Sequence, residues 1–64
     1  MLVLTRRINE SLFIFPEDMS SDTTIEELFS SKIIEIEILE IKHNQVKIGI
    51  SAPDELRIMR RELI

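Results

Sequence analysis

The sequence contains no cysteine, tryptophan or tyrosine, and it has a single glycine, a single histidine and three phenylalanines. Each scarcity removes a class of solution. Without cysteine no disulfide can staple the chain, and the lone histidine, His43, cannot assemble a structural metal site by itself. With Gly49 as the only glycine there is no glycine-rich loop to cradle a phosphate. The few aromatics exclude a base-stacking platform of the RRM or OB kind. No HxH or ExxH spacing places metal ligands on one face, so neither an enzyme nor a cofactor or metal is expected. Glu35 and Glu37 lie on one strand face, and paired acids on an isoleucine-rich strand read as a solvated face rather than an acid–base dyad. No run approaches the roughly 18 apolar residues of a membrane span. MLVLTRR lacks the basic n-region and long apolar stretch of a signal peptide, so a cytoplasmic protein with no membrane partner is expected.

What is present is a short aliphatic chain. Its 64 residues read as a single domain, 1–64, with 44% hydrophobic content. A monomer of this size buries only about 60% of its unfolded surface. With disulfides and metal excluded, oligomerisation is the remaining common device, and an obligate homo-oligomer is expected.

Charge is distributed unevenly. The chain carries a net charge of −4, yet all five arginines, Arg6, Arg7, Arg57, Arg60 and Arg61, fall in its first seven or last eight residues. Residues 10–40 hold nine of the twelve acids and one base, Lys32, a local net of −8, so the remainder sums to +4. For a polyanionic partner the clustering of bases on one face matters more than the overall balance. Spacing alone leaves open whether the arginines form such a face or merely end solvated strands.

Period-two patterning predicts strands over 1–7, 11–15 (SLFIF, stopped by Pro16), 33–41 (IIEIEILEI), 45–50 (QVKIGI) and 55–59 (ELRIM). Ile8-Asn9 and His43-Asn44 read as turns, and SAPD (51–54) as a proline-centred turn. Gly49 inside a strand suggests close approach of another group. The exception is DTTIEELFSSK (22–32), where Thr23 or Thr24 can cap a short helix with Glu26 or Glu27 three residues on. Ile25, Leu28 and Phe29 would share its apolar face and be buried together. The preceding FPEDMSSD reads as an acidic loop.

MLVLTRR at the start, Glu10 closing the next turn, and NQVKIGISAPDELRIMRREL near the end resemble the carbon storage regulator (CsrA/RsmA) family, small bacterial RNA-binding regulators of translation. The resemblance covers residues 1–14 and about 31–64, and the long second block is the specific part. It implies a mainly β fold, a small five-stranded antiparallel-rich sheet in an interlocked homodimer, with the first strand of one chain beside the last strand of the other. LTRR and IMRR would then form one composite surface. It also implies a post-transcriptional regulator that binds GGA motifs in hairpin loops of mRNA leaders and small regulatory RNAs, controlling translation initiation and mRNA stability, with no DNA partner.

Position by position, Leu4, Thr5, Arg6 and Arg7 match the family's first-strand contact segment, and Ala52 and Pro53 the loop whose backbone meets RNA. Ile58 matches an apolar contact residue and Arg60 the key arginine after the last strand. Arg57 and Arg61 match no fixed arginine and read as surface charge; Lys47 reads as a strand-face charge. The chemistry agrees, because sequence-specific RNA readers address unstacked loop bases and arginine offers a planar donor fork for guanine or phosphate.

The largest departure from the family pattern is an insertion. About sixteen residues, Phe15 to Ser30, stand where the family has a short turn between strands two and three, and they hold the predicted helix at about 23–30. A divergent branch of the family carries a helix at this place and lacks the usual terminal one, and this chain is most similar to that branch. Asn9 replaces a usual glycine, Ser51 an asparagine and Met59 a histidine, and Asp54 stands at a commonly basic position. The acidic insertion should weaken nonspecific RNA binding. It also keeps a different reading in play, a protein of the same fold that binds RNA weakly and acts by pairing with a paralogue or a protein antagonist.

Overall fold

The computed structural model describes residues 1–30 and 32–63; Ser31, within the segment read as helical, and Ile64 lie outside the described residues. The chain is mainly β. Strands β1 (Leu2–Arg7), β2 (Leu12–Pro16), β3 (Glu35–Lys42), β4 (Gln45–Ser51) and β5 (Leu56–Arg60) are joined by one helix, α1 (Ile25–Leu28), and followed by a 3-10 turn at Arg61–Leu63. All pairings are antiparallel. Within one chain the five strands divide between a three-stranded sheet, β1-β4-β3, and a two-stranded sheet, β2-β5.

The register explains the sequence pattern. Leu2 pairs with Ile50, Leu4 with Ile48 and Arg6 with Val46, while Ile36 and Ile38 of β3 pair with Ile50 and Ile48. One face of the sheet is therefore aliphatic, and the other carries Thr5, Lys47, Glu35 and Glu37. Strict alternation beyond Ile38 would turn Glu40 onto the aliphatic face. A register shift between Ile38 and Glu40 prevents this by absorbing Leu39, after which Glu40 opposes Lys47 and Ile41 opposes Val46. The break in period at ILEI is the sequence trace of this bulge.

Turns need the left-handed backbone in two places. Asn9 has φ 71° in the corner that leads from β1 to β2, where the Glu10 N–H donates to the Arg7 carbonyl at 3.0 Å. The Glu10 carboxylate in turn accepts from the Arg7 N–H at 2.8 Å. His43, with φ 36°, opens the two-residue hairpin between β3 and β4. Gly49 fills the expected role of close approach, since a Cβ there would lie 3.2 Å from Met1 Cγ and 3.3 Å from Leu39 Cδ1.

Helix α1 is shorter than expected. Thr24 is its N-cap, with its Oγ1 accepting from the Glu27 N–H at 3.1 Å, and Phe29 closes it. Leu28 is buried and Phe29 half-buried, but Ile25, expected to join them, is 75% exposed. A helix of one turn presents only a narrow stripe, so three residues cannot all face inward.

The molecule measures 43 × 24 × 14 Å, room for a single layer of sheet in its thin direction. Among the described residues Leu28 and Ile50 are the buried hydrophobics. Ile36 and Ile38 on the aliphatic face are each 58% exposed, and Ile41 is 71% exposed.

Candidate nucleic-acid interface

β1 and β5, remote in sequence and paired in different sheets, line one groove. That groove is lined by Leu2, Val3 and Leu4 of β1 and by Ile58, Met59 and Arg60 of β5. An adjoining groove runs past Ile58 to Ala52 and Pro53. Leu4, Ile58 and Arg60 are thus assembled in one groove, with Ala52 and Pro53 beyond Ile58. Pro53 is buried, and its carbonyl accepts from the Leu56 N–H at 3.0 Å, which fixes the loop before β5.

Thr5 points elsewhere. It lies on the polar face of the three-stranded sheet beside Lys42, Gln45 and Lys47. There Glu40 sits 3.6 Å from Lys42 and 3.8 Å from Lys47, neutralising part of the basic charge. Arg7 is exposed and lines a separate groove at the β3-β4 hairpin with Ile41 and His43.

Arg6 is turned inward. Its Nη1 and Nη2 donate to the two carboxylate oxygens of Glu62 at 3.0 and 2.9 Å, a bidentate pair. Nη1 also donates to the Ser11 carbonyl at 2.9 Å, and Nε to the Thr5 carbonyl at 2.9 Å. Glu10 stands 3.9 Å from Nη2, and the Arg6 side chain is only 11% exposed. The hydrogen bonds from Arg6 hold the Glu62 carboxyl down to about 2, helped by a backbone hydrogen bond and more weakly by the charges of Arg6 and Arg60. The same pair raises Arg6 above its ordinary value.

A second carboxylate engages Arg57. Its Nη1 donates to both oxygens of Glu17, at 3.0 and 3.1 Å, and both side chains are about half exposed. Glu17 belongs to the inserted segment, so the insertion places an acid directly on an arginine of β5. Among the described residues Arg7, Arg60 and Arg61 make no ion pair. Glu17 and Glu62 are the residues that sequence reading missed. Forty and fifty-six positions separate them from their arginines, and no local spacing encodes such pairs. No cluster of three potential metal ligands occurs among the described residues, and no described helix is long and apolar enough to cross a membrane.

Comparison with known proteins places the chain in a family. The global regulator protein family CsrA matches residues 1–64. The chain is 41% identical over 63 residues to the translational regulator CsrA of Thermosipho melanesiensis, covering 98% of this chain and 63% of that protein. It is 43% identical to the translational regulator CsrA of Alkaliphilus oremlandii and 38% identical to that of Bacillus velezensis, each over 98% of this chain and 64% of the relative. The chain therefore spans a little under two thirds of the length of these relatives. No solved structure matches it.

Proposed function

The chain belongs to the CsrA global regulator family, and from that premise we propose that it is an RNA-binding post-transcriptional regulator that recognises GGA motifs in hairpin loops. Its targets are mRNA leaders and small regulatory RNAs, and its action is on translation initiation and mRNA stability. One observation carries the reading: the groove between β1 and β5 gathers Leu4, Ile58 and an exposed Arg60. Leu4 and Ile58 offer apolar surface to splayed bases, and Arg60 offers a donor fork that fits guanine O6 and N7. The Ala52-Pro53 loop borders the same surface and supplies backbone groups. Arg7 adds positive charge; Arg6 joins the surface only if Glu62 leaves it.

The acting species is a homodimer. A layer 14 Å thick with an open aliphatic face leaves Ile36, Ile38 and Ile41 in water, and a second copy is the surface whose pattern matches. The carboxylates on Arg6 and Arg57 favour a second reading, in which the chain binds RNA weakly and works through a protein antagonist or a paralogue.

Titration of the protein with a GGA hairpin and with a CCA counterpart separates the two. Wild type is expected to prefer GGA, and Arg60→Ala to lose about 1–3 kcal/mol per site on GGA with little change on CCA. Equal affinity of wild type for both hairpins leaves the protein-partner reading standing.

A further inference from the structure

Two of the five arginines are held by carboxylates, and the two pairs are built differently. Glu17 meets Arg57 in solvent, through one guanidinium nitrogen. Glu62 meets Arg6 through two, with Arg6 shielded and its remaining donors engaged by the Ser11 and Thr5 carbonyls. Glu10, at 3.9 Å, covers what remains of Nη2. The Arg6 guanidinium is therefore itself offset by two carboxylates, while Arg61 lines the same groove as both of them and Arg60 acts on Glu62 through its charge. A phosphate approaching Arg6 must displace Glu62, since four of the five guanidinium N–H groups are already engaged and only one, on Nη2 beside Glu10, lacks a hydrogen-bond partner.

We infer that Glu62 is a specificity-determining residue, a built-in carboxylate that occupies Arg6 in place of RNA phosphate and so lowers affinity for RNA lacking the recognised motif. The inference rests on the proposed RNA-binding role, but it concerns nonspecific affinity rather than the reading of GGA. Nonspecific binding comes from cations that displace the counterions of the backbone, and each cation contributes a fixed increment to the salt dependence. A guanidinium already paired with a carboxylate contributes none. Specific binding draws instead on Arg60 and the Ala52-Pro53 backbone, which Glu62 does not cover. Masking Arg6 thus subtracts from off-target binding more than from target binding. Glu62 lies on a three-residue 3-10 turn, and its side chain is half exposed, so its removal frees Arg6 without emptying a core. Glu17 does the same to Arg57 more weakly, because an exposed pair is screened by salt.

The test uses the full chain and two hairpins, one with GGA and one with CCA, across a salt series. Glu62→Gln is expected to tighten binding to the CCA hairpin by roughly threefold to tenfold at about 0.1 M salt and to steepen its salt slope by about 0.7–0.9, as one released cation requires. Binding to the GGA hairpin should tighten by less than about twofold. Adding Arg6→Gln to Glu62→Gln should return the CCA affinity to the wild-type value. Glu17→Gln should change it by no more than about twofold. If Glu62→Gln loses the wild-type circular dichroism spectrum, Glu62→Asp, whose carboxylate is one methylene shorter in reach and so drawn back from Arg6, is measured in its place. Unchanged CCA affinity, an equal gain on both hairpins, or weakened GGA binding would each overturn the inference. Failure of wild type to prefer GGA overturns the proposed motif instead, and leaves the effect of Glu62 on nonspecific binding to be judged by the same salt slopes.

Discussion

On the three-stranded sheet, Ile36, Ile38 and Ile41 stand in water, whereas on the two-stranded sheet Leu12, Ile14, Leu56 and Ile58 are all half-buried by their own chain. Both sheets are antiparallel and rich in aliphatic residues, and the three-stranded one has the longer strands. What differs is what lies over them. A two-stranded ribbon is rarely stable unsupported, so its apolar residues must find cover locally. The larger sheet has an aliphatic face that the chain covers in part at β1 and β4, where Ile50 is buried and Leu4, Val46 and Ile48 are half-buried, but leaves open along β3. Stability of the first region is therefore a property of the assembly, and that of the second a property of the chain.

The strongest way to break this contrast is a charge on the open face. Ile38→Glu is expected to abolish the dimer at micromolar concentration, because its carboxylate would have to enter an apolar interface with no partner. The chain should then lose most of its cooperative unfolding transition. Wild type should show an unfolding midpoint that rises with protein concentration, as a folding-coupled dimer requires. Ile25→Glu, at a still more exposed position on α1, is the control and should change little. An Ile38→Glu chain that stays folded with a concentration-independent midpoint would erase the distinction between the sheets.

A smaller effect is expected where the chain covers itself. Leu28 is buried within one copy, so Leu28→Ala should cost about 2–3 kcal/mol, toward the low end for leucine because the site lies near the surface. Light scattering should still find the folded variant, below its unfolding transition, dimeric. Loss of the dimer in this variant would mean that α1 is part of the intermolecular surface.

How much of this was legible in the sequence follows from the range of the forces involved. The strands were readable because alternation is local: QVKIGI and LTRR name their own faces. The turns at Asn9 and His43 were readable because few residues tolerate positive φ. Leu39 was not placed, since a bulge is fixed by the partner strand as much as by the strand that carries it. The division of five strands into sheets of three and two, and the carboxylates on Arg6 and Arg57, depend on residues forty or more positions apart. Leu4, Ile58 and Arg60 were named from family resemblance, and β1 and β5 bring them to one groove. Arg6 was named on the same ground, and its surroundings were invisible until Glu62 was located.

The seam between the two sheets offers the finest test of the comparison. Arg6 belongs to the three-stranded sheet, but its donors reach Ser11, just before β2, and Glu62, just after β5, so one guanidinium ties the larger sheet to both strands of the smaller. The sign of its pH dependence is fixed by the carboxyl. Glu62 is held down to about 2 in the fold, below the ordinary value of 4.5, so the folded state favours its charged form. Its contribution is fully present above a pH of about 4.5 and is lost as pH falls toward about 2. Other acids titrate over the same range, which makes the difference between wild type and Glu62→Gln the useful quantity. The gap between their unfolding midpoints should be constant from about pH 8 to 5, then close on further acidification, and it should shrink in molar salt because the pair is exposed on the Glu62 side. The effect should be the smallest of the three, since pairs at the surface contribute little. A gap that persists unchanged down to about pH 2 would mean that the sheets are tied by something other than this ion pair.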